Sequence, residues 1–113
     1  MQIKSSNDKG VLVLTLFGRL TMDSENLLVE RVTKAADGGA HRLLVDLSGI
    51  DYIDSHGLGQ MVACHHLLRS QEGRIRFVGL SEKLRRLVEM TRLPRVLEFD
   101  PDLASGLRNL SQR

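Results

Sequence analysis

Apolar residues along this chain occur in short continuous runs that alternate with longer stretches of helical period. The runs are rich in branched and aromatic residues and are bounded by glycine or polar residues, which is typical of strands. Strands are therefore predicted at residues 11–17, 43–47 and 75–79, with weaker ones at 2–6 and 96–99. The first and weakest strand is expected to pair with its successor across a polar turn at residues 7–10.

Between these runs the apolar positions lie three or four residues apart, which is the period of a helix. Helices are predicted at residues 21–37 and 55–70, from Ser81 up to Pro94, and from Asp100-Pro101 onward. Asp23 or Ser24 is the expected cap of the first helix. Pro94 is expected to stop the third helix, because proline cannot continue a helical hydrogen-bond ladder.

Strand and helix alternate after residue 10, with connections long enough to join parallel neighbours. We therefore predict a single α/β domain over residues 1–113. Its expected architecture is a mostly parallel mixed sheet of four to five strands with helices packed against it. Sheets of this kind place functional loops at the carboxyl ends of their strands, which directs attention to the segment after Leu47.

The segment 46–59 is the most unusual in the chain. It holds three acids, two serines, one histidine and three glycines, and a loop is expected at 48–54 before the second helix. Gly57 and Gly59 lie in the first turns of that helix, where an exposed glycine costs about 1 kcal/mol relative to alanine. Tight packing of the helix on the sheet, close approach of another protein, or both would offset this cost.

Ser55 is predicted at the N-terminus of that helix, where unpaired amides and the helix dipole favour an anion. A phosphoryl group on Ser55 is therefore compatible with the fold. It would add about two negative charges to the exterior, which is sufficient to disrupt an apolar contact with a partner. The alternative is that Ser55 is a plain N-cap, either alone or shared with Asp54.

Two runs in this segment carry a family resemblance. Asp-Leu-Ser at 46–48 and Asp-Ser-His-Gly-Leu-Gly at 54–59, with hydrophobic, aromatic and aliphatic residues between them, resemble the signature of STAS domains. Within that family the segment is most similar to bacterial anti-sigma factor antagonists. Gly-Arg-Leu-Thr at 18–21 and Leu-Val-Glu-Met-Thr-Arg-Leu at 87–93 add weaker similarity.

The resemblance implies a STAS fold and a partner switch that regulates transcription. In the family, the unphosphorylated antagonist binds an anti-sigma factor and so frees a sigma factor. The anti-sigma factor is also an ATP-dependent serine kinase that inactivates the antagonist, and a serine phosphatase restores it. The phosphorylated serine corresponds to Ser55. The implied partner-binding residues are Asp54, Ser55, His56, Gly57, Leu58 and Gly59.

This sequence departs from the family pattern at two positions. His56 stands where serine or threonine is usual, and Thr21 replaces an aspartate. A protonated His56 would pair with a phosphate on Ser55 and make the switch pH-dependent, or the ring would hinder a kinase that expects a hydroxyl. A third possibility is an exposed histidine without a role.

Enzyme chemistry is not expected of this chain. Asp54, Ser55 and His56 are consecutive, so their side chains do not converge easily on one substrate atom, and a nucleophile elbow would need glycine in place of Ile53. The phosphate-binding loop and the protein-kinase motifs are missing from the sequence. The chain is expected to receive a phosphoryl group rather than to transfer one.

No metal or other cofactor is expected either. His65 and His66 are adjacent and point about 100° apart on a helix, whereas two ligands from one helical face lie four residues apart. His41 is isolated before a strand, and one of the paired histidines is expected to be partly buried. Cys64 is expected to be a small buried residue rather than a nucleophile.

Charge and location follow from composition. The net charge is +2, but residues 69–95 hold eight basic residues against three acids, a surface that would either attract an acidic partner or remain solvated. Nucleic acid is not an expected partner, because Phe77 is the single aromatic residue in that stretch.

No apolar run approaches the roughly 20 residues of a membrane span or forms a secretory signal. A single cysteine is typical of a cytoplasmic protein, so a cytoplasmic location is expected.

A second function stays open from the sequence alone. The same fold would also serve as a structural interaction or small-ligand-binding module, as in STAS domains of transport or lipid trafficking, without serine phosphorylation. The sequence also leaves open whether the protein forms a weak dimer.

Overall fold

Five strands of the described chain form one mixed sheet in their order along the sequence. The structure is a computed structural model that describes residues 1–111. The strands are β1 Gln2–Asp8, β2 Val11–Leu20, β3 Arg42–Ile53, β4 Arg74–Val78 and β5 Phe99–Asp100. The helices are α1 Leu27–Asp37, α2 Ser55–Ser70, α3 Glu82–Glu89 and α4 Leu103–Ser111, and 3-10 turns lie at Met22–Ser24 and Leu93–Arg95.

The pairing confirms a mostly parallel sheet with an antiparallel hairpin at its N-terminal edge. β1 pairs antiparallel with β2, whereas β2–β3, β3–β4 and β4–β5 are parallel. The hairpin turn places Lys9 and Gly10 at positive φ, the backbone of tight hairpin turns, and Asn7 Oδ1 accepts a 3.2 Å hydrogen bond from Gly10 N–H.

The core lies on both faces of β3, as its continuous apolar run predicts. Leu43, Leu44, Val45 and Leu47 are fully buried. The larger core cluster fills the space between one sheet face and α1, α2 and α3, and a smaller cluster that includes Leu110 of α4 covers the other face. The chain thus has helices on both sides of the sheet, and the carboxyl ends of β2 and β3 open at one edge.

The predicted loop at 48–54 is wrong, because β3 continues to Ile53. Beyond Asp46 the strand is paired with β2 alone, since β4 ends where Val78 faces Asp46. Two register shifts bend this half of the β2–β3 pair, between Thr15 and Phe17 and between Gly18 and Arg19. The polar residues that indicated a loop are tolerated in the strand because one side of it faces solvent.

The first predicted helix begins later than expected. Thr21, rather than Asp23 or Ser24, caps a 3-10 turn at Met22–Ser24, and Glu25 then takes a φ of 52°, which breaks the helical path. α1 starts at Leu27, and its cap residue makes no side-chain hydrogen bond.

The C-terminal third also differs from prediction. α3 ends at Glu89, and Pro94 lies in the following 3-10 turn rather than at the helix end. The strand predicted at 96–99 is displaced to Phe99–Asp100. Asp102, not the Asp100-Pro101 pair, starts α4, because its Oδ1 accepts 2.8 Å hydrogen bonds from Ser105 N–H and Oγ.

Asp100 serves instead as the centre of an ionic cluster. Its side chain is only 6% exposed and contacts Arg76 Nε at 2.5 Å, and Asn109 Nδ2 on α4 at 2.7 Å. Arg76 also pairs with Glu98, and the hydrogen bond to Asp100 is the main cause of the raised pKa of its guanidinium. This cluster ties the short β5 to β4 and α4.

We expect Asp100→Asn to lower the free energy of unfolding by about 1–3 kcal/mol, because the half-buried Arg76 guanidinium then loses one of its two charged partners. The matched control is Glu89→Gln, whose pair with Arg85 is 3.8 Å long and more than half exposed. That change is expected to cost less than about 0.5 kcal/mol. Urea unfolding of both variants measures the difference, and equal losses would contradict the structural role of Asp100.

Candidate functional site

The predicted site residues lie where β3 ends and α2 begins. Asp54 is the N-cap of α2, and its two carboxylate oxygens accept from different elements. Oδ1 accepts from Gly57 N–H at 2.8 Å, and Oδ2 accepts from Met22 N–H at 2.9 Å. Asp54 N–H in turn donates to Leu20 O at 3.3 Å. One residue therefore joins the ends of β2 and β3, the 3-10 turn and α2.

The hydrogen bonds from Gly57 and Met22 lower the pKa of Asp54 below its ordinary value of 3.8, and the nearby His56 contributes in the same direction. The carboxylate is therefore charged at neutral pH and complements the positive end of the helix dipole.

Ser55 is the first residue of α2 and is exposed. Because Asp54 alone caps the helix, the alternative that Ser55 is a shared N-cap is wrong. Among residues 1–111, no hydrogen bond engages the Ser55 hydroxyl. Its oxygen is thus available to chemistry from outside.

The two glycines of this turn have different environments. Gly57 is buried, and a Cβ at this position would lie 2.1 Å from Leu20 O. Gly59 is exposed, and a Cβ there would have nothing within 4 Å. Packing on the sheet therefore explains Gly57 and leaves Gly59 unexplained. Gly57 therefore sets how closely α2 approaches β2, and its role as a partner contact stays a prediction.

The exposed face of α2 carries only small side chains near its start. Ser55, Gly59 and Ala63 are exposed at i, i+4 and i+8, and the half-buried Leu58 and Val62 flank them. Leu58 packs against the main core cluster. Such a face allows the backbone of another protein to come close.

His56 is half-buried and points away from the exposed face. Its Nε2 lies 2.8 Å from Glu25 O, so the ring donates an N–H to the turn that precedes α1. The ring thus has a structural contact, whereas its effect on a phosphate at Ser55 stays a prediction. His56 and Asp54 together hold the 22–25 segment against the start of α2.

Two residues near the site have roles that the sequence analysis missed. Met22 is 69% exposed beside Asp54 and adds an adaptable apolar side chain to the Ser55 surface. Gln60 is 3% exposed, and its Oε1 accepts from Leu28 N–H at 3.1 Å and Val29 N–H at 3.4 Å, so it supplies the missing cap of α1. In the sequence, the role of Gln60 could have been suspected from its position as a polar residue within the apolar stretch of α2.

The remaining candidate groups play other parts. Cys64 is buried, and burial raises the pKa of its thiol to about 12, which keeps it protonated and unreactive. His65 is half-buried, as expected of one of the paired histidines, and burial lowers its pKa. The residues from 1 to 111 contain no cluster of three or more potential metal ligands, and no helix among them is long and apolar enough to span a membrane.

A family model described as the STAS domain matches residues 2–106. The chain belongs to the STAS domain family. That assignment agrees with the site, since the run at 54–59 that resembles the STAS signature forms the cap and first turn of α2.

Several proteins similar to this chain are named as anti-sigma factor antagonists. The anti-sigma-B factor antagonist of Bacillus subtilis is 28% identical over 95 residues, which are 84% of this chain and 86% of that protein. An anti-sigma factor antagonist from Mycobacterium paratuberculosis has the same fold, with a TM-score of 0.89, 22% identity and coverage of 98% and 94% of the two chains. The Bacillus antagonist SpoIIAA in its phosphorylated form gives a TM-score of 0.70 at 17% identity, with 96% and 99% covered.

We expect Asp54→Asn to destabilise the STAS fold at neutral pH, because an amide retains one acceptor for Gly57 N–H but turns a donor toward Met22 N–H. A carboxylate with a depressed folded pKa stabilises the fold above its unfolded pKa, and this stabilisation is lost as the pH falls through the folded value. The difference between wild type and variant should therefore shrink below pH 3.8.

Urea unfolding at a series of pH values measures this difference. Asp51→Asn, an exposed position on the preceding strand β3, controls for the loss of one negative charge. A difference that stays constant down to the acid limit would show that the charge of Asp54 is not what stabilises the turn.

The two glycines should respond in opposite directions to the same change. Gly57→Ala is expected to lower the free energy of unfolding by roughly 1–3 kcal/mol, because its methyl group meets the Leu20 carbonyl. Gly59→Ala is expected to raise it by about 1 kcal/mol, as at any open helical position. Thermal unfolding of the pair tests this, and a stabilising Gly57→Ala would refute the close approach.

Proposed function

We propose that this STAS domain is an anti-sigma factor antagonist that acts as a phosphorylation-controlled partner switch in transcription. Unphosphorylated, it binds an anti-sigma factor through the surface around Ser55, and phosphorylation of Ser55 releases that partner. The observation that carries the proposal is the exposed and unengaged Ser55 hydroxyl at the first position of a helix whose start is held by Asp54.

The geometry supports an effect on the exterior rather than on the fold. Asp54 already accepts from Gly57 N–H and Met22 N–H, so a phosphoryl group on Ser55 extends into solvent without displacing these bonds. It adds about two negative charges beside the Asp54 carboxylate. If this negative charge meets acidic groups of the partner, or enters an apolar contact with it, the free energy of binding becomes less favourable by several kcal/mol.

The docking surface, as we propose it, consists of Met22, Ser55, Leu58 and Gly59. Three of these four residues are exposed and Leu58 is half-buried. Bulk at Gly59 would hold a partner away from the helix, and Met22 provides a flexible apolar contact. Asp54, His56 and Gly57 act in this proposal as positioning residues beneath or beside the surface.

In this proposal, the partner proteins catalyse both the phosphorylation and the dephosphorylation of Ser55. The anti-sigma factor is proposed to be an ATP-dependent serine kinase. It transfers the γ-phosphoryl group of ATP to the Ser55 oxygen, with loss of the hydroxyl proton and release of ADP. A serine phosphatase is proposed to hydrolyse the phosphate ester and restore the binding form. The chain itself is proposed to have no enzymatic activity and to work in the cytoplasm.

Incubation with MgATP and the ATP-dependent anti-sigma kinases of the source organism tests the switch, beginning with any encoded beside this chain. Intact-mass spectrometry should show one added phosphoryl group, and Ser55→Ala should abolish it. Ser70→Ala is the matched control, because Ser70 is an exposed serine at the other end of the same helix and should leave the reaction unchanged.

The binding consequence is measured by titration calorimetry with the kinase that modifies the chain or co-purifies with it. Ser55→Asp should raise Kd at least tenfold, which corresponds to about 1.4 kcal/mol. Absence of phosphorylation by every candidate kinase, together with unaltered binding of Ser55→Asp, would contradict the switch. That outcome would favour an interaction or small-ligand module without serine phosphorylation.

A further inference from the structure

An open apolar groove of about 550 Å³ lies beside the end of β3 and along α3. Tyr52 and three α3-side residues, Leu84, Leu87 and Met90, supply its apolar lining. Tyr52 is 40%, Leu87 37% and Met90 82% exposed, which is unusual for three large apolar side chains in one place. Leu84 on the same helix is buried at 1% exposure, whereas Leu87 lies at the surface.

The rim of the groove is basic. Lys83 and Arg86 line it, and Arg19 lies over the Tyr52 ring with 5.0 Å between its guanidinium carbon and the ring centroid. Glu82 is the acid on the same rim, and it pairs with Arg86 at 2.7 Å. Lys83 has no acidic partner within 4.0 Å among residues 1–111. The wider segment 82–95 contains five basic residues and two acids.

The groove opens at the same edge of the sheet as Ser55. Tyr52 lies three residues before Ser55 and next to the last residue of β3, so the groove and Ser55 both lie near the carboxyl end of that strand. A stable interface covers about 800 Å² on each partner. The small residues at the start of α2 offer little apolar area, so a partner seated on Ser55 needs contact surface nearby.

We propose that the groove formed by Tyr52, Leu87 and Met90 is a second anchor for the same anti-sigma factor. Its occupant is a segment of that protein with large apolar side chains and at least one acidic residue. This inference rests on the proposed function and adds to it a site that fixes which anti-sigma factor is recognised. The apolar lining binds the hydrophobic side chains, and Lys83 and Arg19 attract the acidic one.

A second copy of this chain fits the groove less well. Two such grooves facing each other would bring Lys83 and Arg86 close to their own counterparts, which is repulsive. An acidic partner gains from the same charges. Charge complementarity therefore favours the heterologous partner.

The test uses the purified anti-sigma kinase, the full chain and titration calorimetry. The double variant Leu87→Gln with Met90→Gln should raise Kd about tenfold or more and leave Ser55 phosphorylatable at high kinase concentration. Lys83→Glu should also raise Kd and weaken the salt dependence of association. Because all three residues are exposed, thermal unfolding should be little changed.

Two controls match these changes outside the groove. Leu103→Gln replaces an apolar residue of similar exposure, 40%, on α4, and Lys34→Glu reverses an exposed charge on α1. Both should leave Kd unchanged.

The outcomes separate this inference from the proposed function. Unchanged affinity of the groove variants, with Ser55→Asp still weakening binding, overturns the second anchor and leaves the switch intact. If the groove variants bind the kinase more weakly while Ser55→Asp leaves the affinity unchanged, the second anchor is supported and the switch is overturned. Concentration-dependent dimerisation of the chain alone, abolished by Met90→Gln, would make a second copy the occupant and overturn the proposal.

Discussion

The carboxylate of Asp54 is the contact on which the site depends. It accepts one hydrogen bond from the first turn of α2 and one from Met22, 32 residues earlier in the chain. Both hydrogen bonds favour the charged form of the carboxylate. The same carboxylate therefore caps α2 and holds the turn that precedes α1. Without it, neither the direction of α2 nor the neighbourhood of Ser55 would be defined.

Each residue of the run at 54–59 can be understood from this arrangement. Asp54 caps the helix, and Ser55 occupies its first exposed position. His56 reaches the Glu25 carbonyl, and Gly57 allows α2 to lie against Leu20. Leu58 anchors the turn in the core, and Gly59 leaves the outer face bare. The motif thus combines residues that position the helix with residues that keep one surface small.

The sequence predicted the elements whose hydrophobic period was strong. The buried strands at 11–17 and 43–47 and the helix at 55–70 are found within the bounds of β2, β3 and α2, because continuous apolar runs and helical stripes have few alternative interpretations. The extension of β3 was missed because a strand paired on one side tolerates the polar residues that usually mark a loop. The late start of α1 depends on the positive φ of Glu25, which no periodicity reveals.

Long-range contacts explain what the sequence could not show of the site. Met22 and Gln60 act through partners 31 or 32 residues away, so their roles depend on how α1 and α2 pack. The groove at Tyr52 likewise exists only because α3 lies beside the end of β3. The motif indicates Ser55 as a candidate site, which stays a prediction, whereas the reason for the burial of Gly57 is visible only in its close approach to Leu20.

A charge on Ser55 is expected to alter the exterior of the protein and to leave its fold unchanged. This expectation is tested by comparing amide NMR spectra of the protein with serine and with phosphoserine incorporated at position 55. The chemical-shift changes should be confined to the first turns of α2, residues 21–26 and their immediate neighbours. Shifts spread across the sheet, or loss of the dispersed spectrum of a folded protein, would contradict it.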